Sequence, residues 1–192
     1  YLQLLALSYP NVAEASTEII NLEAILNLPK PTEHFISDPH GEYEAFCHIL
    51  NNCSGVIREK VDLLFRKKLS RQERKELCAL IYYPKEKLRL IRREGLGADW
   101  YRMTVNRLIE LARTLSSKYT RSKVRKMLPG QFAYIIEELL YESDIEGDRQ
   151  DYYQAILQAI IDTGCAEQTI IAICYLIHSL VIDTFHIVGD IF

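Results

Sequence analysis

Two stretches decide the fold of this chain: residues 35–42 have the sequence FISDPHGE, and residues 186–192 have the sequence HIVGDIF. In each of them a short run of β-forming residues ends in a glycine with acidic or imidazole side chains beside it. The pattern predicts two buried strands, at 34–37 and 185–188. In open α/β sheets, polar groups at the carboxyl ends of parallel strands form ligand sites. We therefore expect the two strands to be parallel neighbours whose ends share one site.

Helical spacing dominates the rest of the chain. Ser70 with Glu73 forms a capping-box pattern, Thr120 is placed to cap a helix, and Gly164 stands where a C-terminal glycine would. Apolar residues at steps of three and four predict helices at 13–28, 42–53, 56–68, 70–82, 84–94, 97–119, 121–128, 131–142, 148–163 and 166–181. The two strands are thus separated by a long helical segment.

Composition excludes several classes of protein. The 192 residues are 48% hydrophobic and 26% charged, with a net charge of −3, which is typical of a globular protein and argues against a general nucleic-acid binder. The five cysteines form no CxxC pair, so we expect reduced thiols in a cytoplasmic protein. The most apolar run, 169–182, is too short to span a membrane. The chain does not begin with Met, so it carries no information on targeting.

Asp38 and His40 are the first candidate metal ligands. Side chains two positions apart on an extended chain point the same way, so both are expected to converge on one point. A carboxylate with an imidazole suits Mn, Fe, Co or Zn better than Ca or Mg. Pro39 keeps Asp38 out of the right-handed helical region, and we expect an extended Asp38. The alternative is a capping aspartate followed by a histidine exposed in a turn.

Gly189 and Asp190 repeat this layout after the second strand. Two aspartates at neighbouring strand ends, one of them partnered by a histidine, resemble half of a two-metal hydrolase site. The pair DxHG and GD is similar to the opening motifs of the calcineurin-like metallophosphoesterases.

The resemblance extends over nearly the whole chain. It is carried by four segments: ASTEIINLEAILNLPKPTEHFISDPHGEYEAF, LCALIYYPKEKL, SSKYTRSKVRKMLPGQFAYIIEELL and HIVGDIF. Together they resemble the N-terminal part of the bacterial class III fructose-1,6-bisphosphatases. This family implies an α/β metallophosphoesterase fragment that is mostly α-helical, with a large helical insertion between two short parallel strands. The implied parts are 1–54 with the first strand, 55–182 as the insertion and 183–192 with the second strand.

The resemblance also implies the chemistry. Asp38 and His40 match ligands of a first metal, and Asp190 matches an aspartate that bridges two Mn²⁺ ions. The implied activity is hydrolysis of the 1-phosphate of fructose 1,6-bisphosphate, a gluconeogenic step. The family's next residues, an aspartate, an arginine and a glycine, do not follow Phe192, nor do its later asparagine and histidines. We therefore expect a truncated site and no activity from this fragment alone.

A cluster of cations, SSKYTRSKVRK, is the remaining candidate for ligand binding. It offers Lys118, Arg121, Lys123, Arg125 and Lys126 to a phosphorylated substrate or effector. The alternative is a solvated, charged helix face. Residues 66–75, RKKLSRQERK, carry charges of both signs and are interpreted as plain surface.

Two other functions stay open at this level. A protein serine/threonine phosphatase shares the opening motifs, although that branch keeps them much closer together. A helical regulatory module, in which DPH is only a turn, would have no catalytic site. The sequence favours neither a nucleic acid nor a membrane as partner, and it leaves a homo-oligomer open.

Overall fold

The computed structural model describes residues 1–141 and 148–191. The predicted helix 131–142 and the predicted segment 183–192 each extend one residue beyond them, to Glu142 and Phe192. A 3₁₀ turn covers Cys53–Gly55. The strands are β1 (Glu33–Ser37) and β2 (Thr184–Val188). The helices are α1 (Leu2–Ser8), α2 (Val12–Ile25), α3 (Tyr43–Asn52), α4 (Val56–Phe65), α5 (Arg71–Tyr82), α6 (Pro84–Glu94), α7 (Ala98–Ser116), α8 (Arg121–Met127), α9 (Ala133–Tyr141), α10 (Asp148–Asp162) and α11 (Ala166–Val181).

The predicted helices are confirmed, with ends that move by up to three residues. Ser70 accepts a hydrogen bond from the Glu73 N–H at 3.2 Å, while the Glu73 carboxylate accepts the Ser70 N–H at 2.9 Å, which completes the capping box of α5. Thr120 caps α8 by accepting the Lys123 N–H at 3.2 Å. Helix α1 was not predicted. It has no capping side chain and buries none of its residues, so the signals used to locate helices are absent from it.

The hydrophobic core lies among the helices between the two strands. Helices α7 and α11 are its centre, and α4, α5 and α9 pack around them. Ile57, Ile81, Leu108, Ile136 and Ile173 are fully buried. These residues come one each from α4, α5, α7, α9 and α11, so each of these five helices turns an apolar face towards the core.

The two strands form a parallel pair, as predicted. Phe35 lies opposite His186, and Ser37 lies opposite Val188. The prediction that both strands are buried is wrong, because Phe35 is 60% exposed and Val188 is 50% exposed. Only the side of the pair that faces α3 and the 3₁₀ turn is covered: His34 bonds Ser54 there, and Phe185 packs edge-on against Phe46 of α3.

Within the described residues, no single helix is long and apolar enough to cross a membrane. Helices α10 and α11 reach that length and apolar character only when they are counted together, and a bend of 116° separates them.

Candidate metal centre

The parallel pairing of β1 and β2 continues past the strand ends and brings the two candidate motifs side by side. The Asp38 N–H donates to the Val188 carbonyl at 3.1 Å, and the Gly41 N–H donates to the Ile191 carbonyl at 3.0 Å. Between them the His40 N–H donates to the Asp190 carbonyl at 3.4 Å. The backbone of residues 38–41 therefore runs along that of residues 188–191.

The Asp38 carboxylate lies against the backbone of Gly189 and Asp190. Its Oδ1 accepts the Asp190 N–H at 3.0 Å. A Cβ placed on Gly189 would stand 2.1 Å from the same oxygen, and Gly189 has a φ of +83°. Only glycine satisfies both conditions, because it has no Cβ and adopts positive φ without penalty. The glycine before Asp190 thus makes the space that Asp38 occupies.

The backbone of the DPH segment is left-handed at two positions. Asp38 and His40 both have a φ of +46°, so the expected extended Asp38 is wrong. Pro39 does keep Asp38 out of the right-handed helical region, but Asp38 adopts the left-handed region and not the extended one. The Pro39 carbonyl accepts the Glu42 N–H at 2.9 Å, which closes a tight turn at His40 and Gly41 that leads into α3.

This backbone conformation carries a cost. Asp and His are among the residues that best tolerate positive φ, yet each such position still costs on the order of 1–3 kcal/mol. Strain of this kind collects at sites where side chains must be held in place. The turn therefore strengthens the candidacy of Asp38 and His40, although it places them by a different geometry from the one expected.

The donor set fits a divalent transition metal in type but not in number. Asp38, His40 and Asp190 are all exposed, so their oxygen and nitrogen atoms are open to a ligand. Carboxylate and imidazole together are ligands that Mn²⁺ accepts. Among the described residues, however, no three His, Cys, Asp or Glu side chains lie close enough together to hold one ion.

A cavity of about 240 Å³ adjoins this centre and is mainly apolar. Its walls include Pro39, Tyr43, Phe46, Ile187 and Ile191. Among the residues that the structure describes, neither Lys nor Arg lines it. The described walls of this cavity therefore supply no cation for a phosphate group.

Lys118 and Lys123 of the basic cluster lie elsewhere, on Asp183. Lys123 Nζ is 2.6 Å from one Asp183 oxygen and Lys118 Nζ is 3.2 Å from the other. The Asp183 side chain is only 4% exposed, and it also accepts the Thr32 N–H at 2.9 Å. Burial alone would raise the pKa of this carboxyl, but the hydrogen bonds from Lys123, Thr32 and Lys118 lower its pKa to about 2.

This ion cluster is at the opposite end of the strands from Asp38 and Asp190. Thr32 precedes β1 and Asp183 precedes β2, whereas the candidate ligands follow the strands. A five-residue strand is about 16 Å long. The structure therefore does not bring Lys118 and Lys123 to the candidate metal centre.

The other three cations of the cluster are on α8. Arg125 forms an ion pair with Glu137 at 2.7 Å, and Arg121 stacks over the Tyr141 ring at 4.8 Å. Lys126 is exposed to solvent. Asp183 itself was missed in the sequence, and its position two residues before the predicted strand at 185–188 was the available signal for it.

The whole chain matches a known family. The family described as Firmicute fructose-1,6-bisphosphatase matches residues 1–192. Three curated relatives, each named fructose-1,6-bisphosphatase class 3, come from Bacteroides fragilis, Parabacteroides distasonis and Clostridium botulinum. The first is 58% identical to this chain and the other two are 57% identical, over 193 aligned residues that cover all of it. The chain spans 29% of the length of each of these relatives. No solved structure matches it.

Proposed function

This chain belongs to the Firmicute fructose-1,6-bisphosphatase family, and from that premise we propose that it is part of a manganese-dependent phosphatase. The proposed reaction is hydrolysis of the 1-phosphate of fructose 1,6-bisphosphate. The observation that carries the proposal is the parallel pairing that sets Asp38 against Gly189 and Asp190. It supports the assignment because two acidic residues from distant parts of the chain meet at one strand end.

Asp38 and His40 would hold one ion, and Asp190 would contribute a carboxylate between two ions. Bound divalent metals supply a hydroxide at neutral pH and stabilise the charge that develops on a transferring phosphoryl group. The Asp190 N–H bonds one oxygen of Asp38 and so orients this carboxylate. Gly189 keeps the space beside it open. These residues would therefore hold the acidic ligands in place before any metal binds.

The rival phosphatase function has weaker support. The names of the relatives give a sugar bisphosphate as their substrate. The resemblance in sequence implies a long helical segment between the two motifs, and this chain has one. Binding of a phosphorylated substrate or effector by the basic cluster remains a proposal. Since Lys118, Lys123 and Arg125 already pair with carboxylates, Arg121 and Lys126 would make most of this contact.

The test is Mn²⁺-dependent phosphate release from fructose 1,6-bisphosphate by the full-length protein. We expect Asp38→Ala and His40→Ala to lower turnover by at least about 100-fold. Replacing even a residue that hydrogen-bonds to a metal ligand lowers metal affinity or activity by about 10–100-fold, and these changes remove the ligands themselves. Asp151→Ala, which removes an exposed carboxylate of α10, is the matched control and should retain activity. Normal turnover of the Asp38→Ala enzyme would refute the metal assignment.

A further inference from the structure

Helices α4 and α5 enclose a groove of about 230 Å³ that lies outside the candidate metal centre. One side is a single face of α5, because its lining residues recur at steps of three and four along the helix. The other side is Arg58 and Asp62, one turn apart on α4. The α5 face consists of Arg71, Arg74, Lys75, Cys78, Ala79 and Tyr82.

The groove has an excess of positive charge. Of the described residues that line it, four are cations and one, Asp62, is a carboxylate. That carboxylate already bonds Arg74 Nε at 2.6 Å, and Arg58 Nε is 4.0 Å from it. Of the described residues, none forms a hydrogen bond or ion pair with the side chain of Arg71 or Lys75. Two cations on the groove wall are thus left for an external partner.

One of the other cations is held rigidly. The Arg74 side chain is 16% exposed, and its Nη1 donates to the Leu69 carbonyl at 2.6 Å while its Nε holds Asp62. A guanidinium that is fixed in this way loses little conformational entropy when it meets an anion. Arg74 therefore provides a pre-positioned charge at the centre of the groove.

The cations also lie where a helix least favours them. Arg71, Arg74 and Lys75 occupy the start of α5, where the helix dipole is positive, and their spacing of three and four residues sets like charges side by side. Glu73, the acidic residue of this turn, is engaged in the capping box with Ser70. A bound anion would offset both the unfavourable interaction of these cations with the helix dipole and the repulsion among them.

The far end of the groove is uncharged. Cys78 is 6% exposed and burial raises the pKa of its thiol, so it stays neutral. Ala79 and Tyr82 complete a small apolar floor. The volume is below the roughly 300–1,000 Å³ typical of drug-sized ligands. The groove therefore fits a small molecule with an anionic head and a short uncharged body.

We propose that this groove binds a small phosphorylated organic anion, with the phosphate held by Arg71, Arg74 and Lys75. The inference goes beyond the proposed catalytic function, because none of these residues is a candidate metal ligand. It also differs from the basic cluster, where Asp183 and Glu137 already neutralise three of the five cations.

The test is calorimetric binding of glycerol 3-phosphate and of inorganic pyrophosphate to the full-length protein in EDTA, which keeps the metal centre from contributing. Arg71→Gln/Lys75→Gln should weaken binding of both probes by at least about tenfold, because charged hydrogen bonds are worth about 1.5–3 kcal/mol. The matched control is Arg66→Gln/Lys67→Gln, which removes one Arg and one Lys from the exposed segment before α5 and should change binding less than about twofold. Ala79→Met fills the floor without changing charge and should weaken glycerol 3-phosphate more than pyrophosphate.

Three results would overturn the inference. The first is no binding of either probe by the unmodified protein. The second is an equal loss in the groove variant and its control, which would indicate attraction by net charge alone. The third is a loss confined to Arg121→Gln/Arg125→Gln/Lys126→Gln, which would place the site on α8. Loss of binding by misfolding is excluded if Arg71→Gln/Lys75→Gln keeps Mn²⁺-dependent turnover and melts no lower than the unmodified protein.

Discussion

Asp38 and Gly189 depend on each other across 151 residues of chain. The carboxylate of Asp38 fills the volume that any larger residue at position 189 would need, and the neighbouring Asp190 N–H holds it there. The two motifs meet through this contact. The geometry of the candidate metal centre therefore requires a residue without a Cβ at position 189.

Gly189→Ala should therefore damage the centre. The new methyl would stand 2.1 Å from Asp38 Oδ1, and the φ of +83° is unfavourable for alanine. Either the carboxylate or the backbone must move, so we expect Mn²⁺ affinity and turnover of the full-length protein to fall by at least about tenfold. Titration of Mn²⁺ against phosphate release measures both quantities.

Gly164→Ala is the control for this change. Gly164 also has positive φ, at +70°, but a Cβ there would meet no atom within 4 Å. It should lower stability by about 1–2 kcal/mol through backbone strain alone and leave Mn²⁺ affinity unchanged. If both variants retained normal Mn²⁺ affinity, the contact between Asp38 and Gly189 would have no role in metal binding.

The candidate ligand types could be predicted from the sequence, but not the backbone that presents them. The spacing of Asp38 and His40 suggested an extended chain, yet both residues are left-handed. Asp, His and Gly all tolerate this region, so DPHG is compatible with an extended end or with a turn. Contacts with residues 188–191 select the turn, and such long-range contacts leave no local pattern.

Asp183 links the helical core to the two strands at the level of whole elements. It bonds the Thr32 N–H before β1 and is itself the residue before β2, while Lys118 and Lys123 reach it from the end of α7 and from α8. This buried ion cluster thus connects four elements at the amino ends of the strands.

Asp183→Asn should destabilise the full-length protein by about 2 kcal/mol at pH 7. The carboxyl has a pKa of about 2 in the folded protein against 3.8 ordinarily. A pKa difference of one between the folded and unfolded protein corresponds to about 1.4 kcal/mol of stability. Since the folded-state pKa is lowered, this stabilisation is complete above pH 3.8 and is lost as the pH falls towards 2. Urea unfolding at pH 7 and at pH 3 measures the difference, which should shrink at the lower pH.

Asp99→Asn provides the comparison for an exposed ion pair. Asp99 is 90% exposed and lies 3.4 Å from Arg102. Exposed pairs contribute 0–1 kcal/mol, so this change should have a small effect on the free energy of unfolding at pH 7. A loss at Asp183 no larger than that at Asp99 would contradict the role given to the buried cluster.

Helix positions were predictable because apolar spacing and caps are local, and the pairing of the strands followed from their shared pattern of polar ends. The exposure of the strands and the groove between α4 and α5 could not be predicted from the sequence. RKKLSRQERK was interpreted as surface by counting its charges, whereas Arg71, Arg74 and Lys75 share a helix face opposite Arg58. Their spacing of three and four residues was the available signal, but their pairing with α4 is a tertiary contact.

The molecule as a whole exposes much apolar surface on its strand region and on α2. Phe35, Ile187, Val188 and Ile191 of the strand region are 41–60% exposed, and α2 buries none of its residues. Its relatives have more than three times the length of this chain. The helical core is thus well packed, whereas the strands and the candidate centre lack a comparable cover from the described residues.

The 192-residue chain alone should release no phosphate from fructose 1,6-bisphosphate at a measurable rate, whereas we expect the full-length protein to do so with Mn²⁺. A two-metal site needs enough ligands to hold both ions and leave positions open for water and phosphate. The chain offers Asp38, His40 and Asp190, and no three metal-binding side chains of its described part converge.

Both proteins should be assayed at equal concentration across a Mn²⁺ titration, with EDTA as the blank. Circular dichroism at 222 nm should verify that the short chain is helical, so that inactivity is not mistaken for unfolding. Adding the missing part as a separate polypeptide should restore some turnover if the ligands are divided between the two pieces. Full activity of the short chain by itself would mean that Asp38, His40 and Asp190 suffice, and the proposed division of the metal centre would then be wrong.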